Sequence, residues 1–188
     1  MDSFFLPLVA AALAEWGDKT QILAMLLGIR FANPVPVFIG ISLAAAINMA
    51  LAAFGGSLLA TIIPPDAALL FLTLGFLFAA IGTFVPFRDT DADSIWGMGA
   101  IFTSFVGFFL IEFGDKTQFI AAGFGAVSSN WILVGSGAAV GVVLGCAPAI
   151  VLGQTLRERV PLTGIRRSVG GLFLLVSSIL AINVFSLI

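Results

Sequence analysis

Apolar residues run along this chain in blocks too long and too evenly filled for the amphipathic helices or alternating strands of a soluble fold. Six stretches stand out: Phe4–Ile29, Val35–Ile63, Ala67–Phe87, Trp96–Ala126, Trp131–Leu156 and Ser168–Ile188. Each exceeds the roughly 20 residues that a helix needs to cross about 30 Å of hydrocarbon. Between them fall turn-forming and charged residues: Asn33-Pro34, Pro64-Pro65-Asp66, the run from Arg88 to Ser94, Ser128-Ser129-Asn130, and the segment from Arg157 to Arg167 around Pro161. The pattern predicts an all-α membrane protein with six transmembrane helices. Arg30, Arg88, Arg157, Arg159, Arg166 and Arg167 all lie in the first, third and fifth connections. The positive-inside rule then puts those connections in the cytosol and both termini outside it. Hydrophobicity begins at Phe4, with neither a basic segment nor a small-residue cleavage site before it, so no cleaved leader is expected.

The spans are related to one another. Leu13–Gln21 reads LAEWGDKTQ and Leu110–Gln118 reads LIEFGDKTQ, an offset of 97 residues (Glu15 to Glu112). The same offset pairs Asn33 with Asn130, Gly40 with Gly137, Gly56 with Gly153 and Pro64 with Pro161. In the second span Gly40, Ala44, Asn48, Ala52 and Gly56 recur at every fourth position, and so do Gly137, Gly141, Gly145, Ala149 and Gly153 in the fifth. Small residues at that spacing make a ridge along which helix backbones approach closely in lipid. A unit of three helices is odd, so its second copy enters the membrane from the opposite side. The chain therefore divides into a first three-helix repeat (1–87), an acidic cytoplasmic connecting loop (88–95) and a second three-helix repeat (96–188) of inverted topology. Secondary transporters are commonly built this way, with substrate near the midplane where the repeats meet.

Composition excludes several classes of function. Hydrophobic residues make up 60% of the chain and charged ones 10%, against roughly 45–50% and 25% in soluble domains. A net charge of −2 without a basic patch gives nucleic acid nothing to bind. With no histidine and a single cysteine, Cys146, an imidazole or soft-metal site is excluded, as is Ser-His or Cys-His catalysis. No enzyme is expected.

The remaining chemistry sits inside the spans. Glu15, Asp18 and Lys19 fall near the middle of the first, and Glu112, Asp115 and Lys116 inside the fourth. A charge at that depth costs at least ~2.5–3.5 kcal/mol on insertion scales, so such residues mark function. On an ideal helix the two acids of each motif lie about 60° apart on one face, and Gln21 and Gln118 extend the polar stripe. Carboxylate and amide oxygens without nitrogen or sulfur suit hard divalent cations. Glu15, Asp18, Gln21, Glu112, Asp115 and Gln118 would together supply about six oxygens if the motifs face one another. Thr20 and Thr117 join only if the helix is distorted, for which Gly17 and Gly114 give latitude. The plainer reading is two intrahelical ion pairs, Glu15–Lys19 and Glu112–Lys116. Four acids against two lysines leave −2, the charge that one divalent cation or two protons would cancel. An exchange of one metal ion for two protons follows as a hypothesis.

The doubled E-x-G-D-K-T, at Glu15–Thr20 and Glu112–Thr117, resembles the signature of the GDT family of calcium/manganese–proton exchangers, within the lysine-exporter superfamily. That family's pattern, E-x-G-D-[KR]-[TS] in the first and fourth helices of a duplicated six-helix fold, is met at every specified position in both copies. The resemblance covers essentially the whole chain. It implies export of Mn²⁺ or Ca²⁺ from the cytosol in exchange for protons, with the metal as cargo and no permanent cofactor. It implies that Glu15, Asp18, Glu112 and Asp115 carry the cation, supported by Lys19, Thr20, Lys116 and Thr117. The compact chain is similar to the bacterial form in the inner membrane, in contact with lipid and open to pairing as a homodimer.

Two rivals are weaker. An intramembrane aspartyl protease also pairs two membrane aspartates, but this chain has no tyrosine for its Tyr-Asp motif. An amino-acid exporter of the same superfamily would bring a carboxylate to a cluster of four acids. Elsewhere, Asp89, Asp91 and Asp93 imitate an EF-hand start, yet Ser94 and Ala100 replace the required Gly and Glu. Asn48 and Asn183 are expected to form interhelical hydrogen bonds, and Trp96 and Trp131 to anchor span ends at the interface.

Overall fold

The computed structural model describes residues 1–85 and 98–185, where the chain is helical throughout apart from its turns. The acidic run Asp89, Asp91, Asp93 and the anchor Trp96 lie outside the described residues. Among the described residues nine helices follow in order: α1 (Asp2–Glu15), α2 (Lys19–Arg30), α3 (Pro34–Leu59), α4 (Pro65–Phe84), α5 (Ala100–Glu112), α6 (Lys116–Val127), α7 (Trp131–Leu152), α8 (Gln154–Arg159) and α9 (Leu162–Val184). Four of them, α3, α4, α7 and α9, are long and apolar enough to cross a membrane, and α5 is a shorter apolar helix.

Local sequence explains the boundaries. The Asn33 side chain accepts from the Val35 N–H at 3.0 Å at the start of α3, and the Asn130 side chain accepts from the Leu133 N–H at 3.1 Å at the start of α7. Each asparagine satisfies one of the orphan donors of a helix start. Pro34 and Pro65 stand in the first turns of α3 and α4, where no backbone N–H is needed. Gly153, at φ +53°, separates α7 from the short α8.

Three boundaries differ from the sequence expectation. The first and fourth spans are not single helices: α1 and α2 are separated by Trp16, Gly17 and Asp18, and α5 and α6 by Phe113, Gly114 and Asp115. Hydropathy cannot register such a break, because the flanking residues stay apolar. The last helix starts at Leu162 rather than Ser168, so Arg166 and Arg167 belong to its first turns. Charge alone suggested a loop there. Arg166 instead donates to the carbonyls of Gly82 (2.9 Å) and Val85, which caps the C-terminal end of α4.

Helices α3 and α7 pack against one another at the centre, with α1 and α2 against α7, and α5 and α6 against α3. These contacts repeat at the 97-residue offset seen between the motifs (Glu15 to Glu112). A Cβ on Gly40 would strike the Ile101 carbonyl, and one on Gly137 the Phe4 carbonyl. Gly125 meets the Ala53 carbonyl as Gly28 meets that of Ile150. Only glycine admits backbones this close. The match is incomplete in the outer layer, where α4 packs on α9 and also on α6, whereas α9 has no comparable contact with α2.

One apolar core fills the α3–α7 interface around Val37, Ile41, Met49, Val142 and Cys146. A second lies between α4 and α9, where Phe76 meets Phe173 edge-on with ring centroids 5.5 Å apart. The outer faces are apolar too, with Leu43, Leu51, Phe78, Ile81, Leu144 and Leu175 exposed. A surface of that kind is suited to lipid rather than water.

Candidate functional site

The two helix breaks are built alike. Trp16 leaves the helix at φ −66°, ψ 119° and Phe113 at φ −65°, ψ 120°. Gly17 and Gly114 then take φ +72° and +77°, a left-handed conformation that glycine alone adopts without strain. Asp18 and Asp115 follow at ψ 167° and open the next helices. The Gly17 N–H donates to Gln21 Oε1 at 2.9 Å, and the Gly114 N–H to Gln118 Oε1 at 2.7 Å. Each glutamine thus reaches back across its own break and takes up a donor that the interrupted helix leaves unpaired.

The glutamine amides also tie the motifs to the central helices. Gln21 Nε2 donates to the Gly145 carbonyl at 2.8 Å, and Gln118 Nε2 to the Asn48 carbonyl at 3.3 Å and to Asn48 Oδ1 at 3.0 Å. Asn48 and Gly145 are themselves positions related by the repeat. The expected interhelical role of Asn48 is completed by its bond to the Phe109 carbonyl at 3.2 Å. Asn183 behaves otherwise: its amide bonds the Ile179 carbonyl of its own helix at 3.0 Å. One turn of helix offers a partner without a second chain segment.

Breaking the helices brings the charged residues together across the repeats. Lys19 pairs with Asp115 at 2.9 Å, and Lys116 pairs with Asp18 and reaches Asp115 at 3.7 Å. The intrahelical pairs Glu15–Lys19 and Glu112–Lys116 do not form; each lysine crosses to the aspartate of the opposite motif. A residue at the break no longer follows the 100° step of a continuous helix. Lys116 is buried, while the Lys19 side chain is 36% exposed.

The glutamates differ sharply from each other. Glu15 is fully buried and accepts from Thr20 Oγ1 at 2.5 Å, from Thr117 Oγ1 at 2.9 Å and from the Cys146 thiol at 3.7 Å. Both threonines, placed off the polar face on an ideal helix, are thereby drawn into the site. Glu112 is equally buried, yet neither of its oxygens has a hydrogen-bond partner among the described residues. A buried carboxyl in that condition calls for a proton or a cation. Among the described residues no three carboxylate or thiol side chains draw close enough to ligate one ion. Lys116 instead bridges two of the carboxylates.

All ten residues singled out in the two motifs therefore lie at the breaks or in the helix starts that follow. Cys146, Asn48 and Gly145 complete the surroundings. The small-residue ridge pointed to Asn48 and Gly145 as packing positions, but nothing in the sequence joined Cys146 to Glu15, 131 residues away.

Paired acids and lysines at the breaks of apolar helices mark a multi-pass membrane transporter for ions, not an enzyme. The chain belongs to the divalent cation/proton antiporter GDT1 family, whose model matches residues 3–91 and 100–186. It is 36% identical over 180 residues to a protein of Vibrio cholerae serotype O1 named "Putative manganese exporter", covering 94% of this chain and 89% of that relative. No solved structure matches.

Proposed function

We propose that this protein exports Mn²⁺, with Ca²⁺ as a second cargo, from the cytosol in exchange for protons. The cation is held between the two E-x-G-D-K-T motifs near the membrane midplane. One observation carries this reading: opposed helix breaks gather Glu15, Asp18, Glu112 and Asp115 in an apolar bundle, with two lysines crossing between them. The relative named as a manganese exporter supports Mn²⁺ as the first substrate.

The arrangement suggests how exchange works. Without metal, the ammonium groups of Lys19 and Lys116 occupy the aspartates. A cation entering from the cytosol displaces them, and Asp18 and Asp115 become ligands beside Glu15 and Glu112. Gln21 and Gln118 brace the breaks through one lone pair of each amide oxygen and retain a second for the ion. On release the carboxylates take up protons, so that the site never stands at −2 in a low-dielectric surround.

Six membrane crossings arise if α1 with α2, and α5 with α6, each make one broken span. The repeats are then inverted, and rocking one against the other opens the site to alternate sides. Both termini lie outside the cytosol of a bacterial inner membrane. The direct test is uptake of radioactive Mn²⁺ and Ca²⁺ into inverted vesicles, beside lysine efflux and peptide cleavage. Uptake that is dissipated when the proton gradient is collapsed supports the exchanger. Lysine efflux without metal uptake would replace it with the amino-acid exporter.

A further inference from the structure

The two motifs are held to the central helices by unequal means. In the first, Gln21 is buried and donates to the Gly145 carbonyl of α7 at 2.8 Å. A Cβ on Gly145 would stand 2.6 Å from the Glu15 Cβ and 3.0 Å from the Ala12 carbonyl oxygen, so no side chain fits between α7 and the first break. The repeat-related position on α3 carries Asn48, whose fully buried side chain spans the second break. Its Nδ2 donates to the Phe109 carbonyl on the α5 side at 3.2 Å. On the α6 side Gln118 Nε2 donates to Asn48 Oδ1 at 3.0 Å and to the Asn48 carbonyl at 3.3 Å. Gln118 is only half-buried, so these bonds rather than close packing hold it. Backbone groups at both ends fix the order of the chain. The Gly114 N–H can only donate and so meets Gln118 Oε1, at 2.7 Å. The Phe109 carbonyl can only accept and so meets Asn48 Nδ2. Neither amide can turn over without setting oxygen against oxygen or N–H against N–H.

We infer that Asn48 is a positioning residue for cation binding: it holds the amide hydrogens of Gln118 so that only the oxygen Oε1 is presented to the ion. This rests on the cation-transport reading above, in which Gln118 is a ligand. The orientation matters because an amide oxygen is a ligand for hard divalent ions, whereas the NH₂ end presents protons to them. A half-buried glutamine without such a clamp would sample both ends. Asn48 also ties the last turn of α5 to the first turn of α6 through a single side chain, so the second break keeps its shape from α3. The first break takes no such clamp from α7, because Gly145 has no side chain to offer.

The test uses the full chain in proteoliposomes and measures Mn²⁺ flux against Mn²⁺ concentration for the unaltered protein, Asn48→Ala, Gln118→Ala and the double variant. Asn48→Ala is expected to raise the half-saturating concentration about tenfold, the size of effect seen when a ligand loses its supporting partner. The maximal rate should stay near that of the unaltered protein. Gln118→Ala should raise the half-saturating concentration at least as far, and the double variant no further than Gln118→Ala, because Asn48 then has nothing to position. An unchanged value in Asn48→Ala overturns the inference. So does an effect of Asn48→Ala that adds in full to that of Gln118→Ala, the mark of a packing role alone. A second measurement needs only the unaltered protein labelled with ¹⁵N-glutamine. Of its glutamines, Gln21 and Gln118 should show side-chain amide protons that exchange slowly with water, and the exposed Gln154 should not. A single slow amide overturns the inference even if Asn48→Ala does not fold. Absence of Mn²⁺ flux through the unaltered protein would sink the transport reading itself, a distinct result.

Discussion

Glu15 and Glu112 come from the same motif and yet meet different surroundings, and substitutions should tell them apart. Glu15 accepts two hydroxyl donors and a thiol, so Glu15→Gln removes a charged acceptor from buried groups. We expect a loss of about 1–2 kcal/mol in unfolding measured in detergent micelles. Glu112→Gln alters a carboxyl that has no hydrogen-bond partner among the described residues, so its unfolding should be unchanged or later while transport is lost. The lysines should separate in the same way. Lys116 is buried between two aspartates, and Lys116→Met leaves the Asp18 carboxylate uncompensated at about 3–5 kcal/mol, while Asp115 keeps Lys19. Lys19→Met, at a side chain partly open to solvent, should cost far less in the same assay. Equal costs for the two lysines would contradict the asymmetry.

The broken helices depend on Gly17 and Gly114, and the two are not equally exposed to substitution. Alanine at either must adopt a positive φ, at roughly 1–2 kcal/mol. A Cβ on Gly114 meets nothing within 4 Å among the described residues, whereas one on Gly17 would lie 2.6 Å from the Leu162 carbonyl at the start of α9. Gly17→Ala should therefore destabilise clearly more than Gly114→Ala in thermal unfolding, and similar losses would contradict the packing of α9 over the first break. The sequence indicated where these elements lie but not how they end. Hydropathy outlined α3, α4 and α7 well, since long apolar runs preceded by Asn-Pro, Pro-Pro or Ser-Ser-Asn leave few alternatives. It missed the interruptions at Trp16–Asp18 and Phe113–Asp115, because a break of three residues hardly changes a mean over twenty. The glycine between two acids was the available clue. An ideal helix likewise put Thr20 and Thr117 off the polar face, and the break is what brings them to Glu15. The start of α9 was set too late because arginines read as loop, although their long stems let them sit at a helix end and cap a neighbour. Cys146 was invisible as a site residue, since contact across 131 positions is a property of the fold alone.

Across the molecule, the inner contacts obey the repeat and the outer ones do not. Gly40 and Gly137, like Gly28 and Gly125, meet matching backbones. Helix α9, by contrast, closes over Gly17 and is fastened to α4 through Arg166, while no described residue covers Gly114 in the same way. Two arrangements of one bundle, exchanged between the repeats, are what alternating access requires. Arg166→Ala removes the fastening from α9 to the end of α4. It should shift the protein away from this arrangement, seen as faster reaction of a thiol introduced at Ile22, which lines the cleft between Gly17 and the start of α9, with a water-soluble reagent; no change in that rate would contradict the closure. The sidedness of the proposal is open to an equally simple check. A cysteine placed at Arg157 should be labelled by an impermeant reagent in inverted vesicles and not in intact cells, and the reverse pattern would overturn the assigned orientation. The most direct measurement of the central claim is metal-driven proton movement in proteoliposomes that enclose a pH dye. Mn²⁺ and Ca²⁺ are added in turn, with Asp18→Asn and Asp115→Asn alongside. The account predicts proton flux of opposite direction to the metal, at two protons for each ion, abolished by either substitution. Metal entry with no proton movement, or proton movement that survives both substitutions, would contradict it.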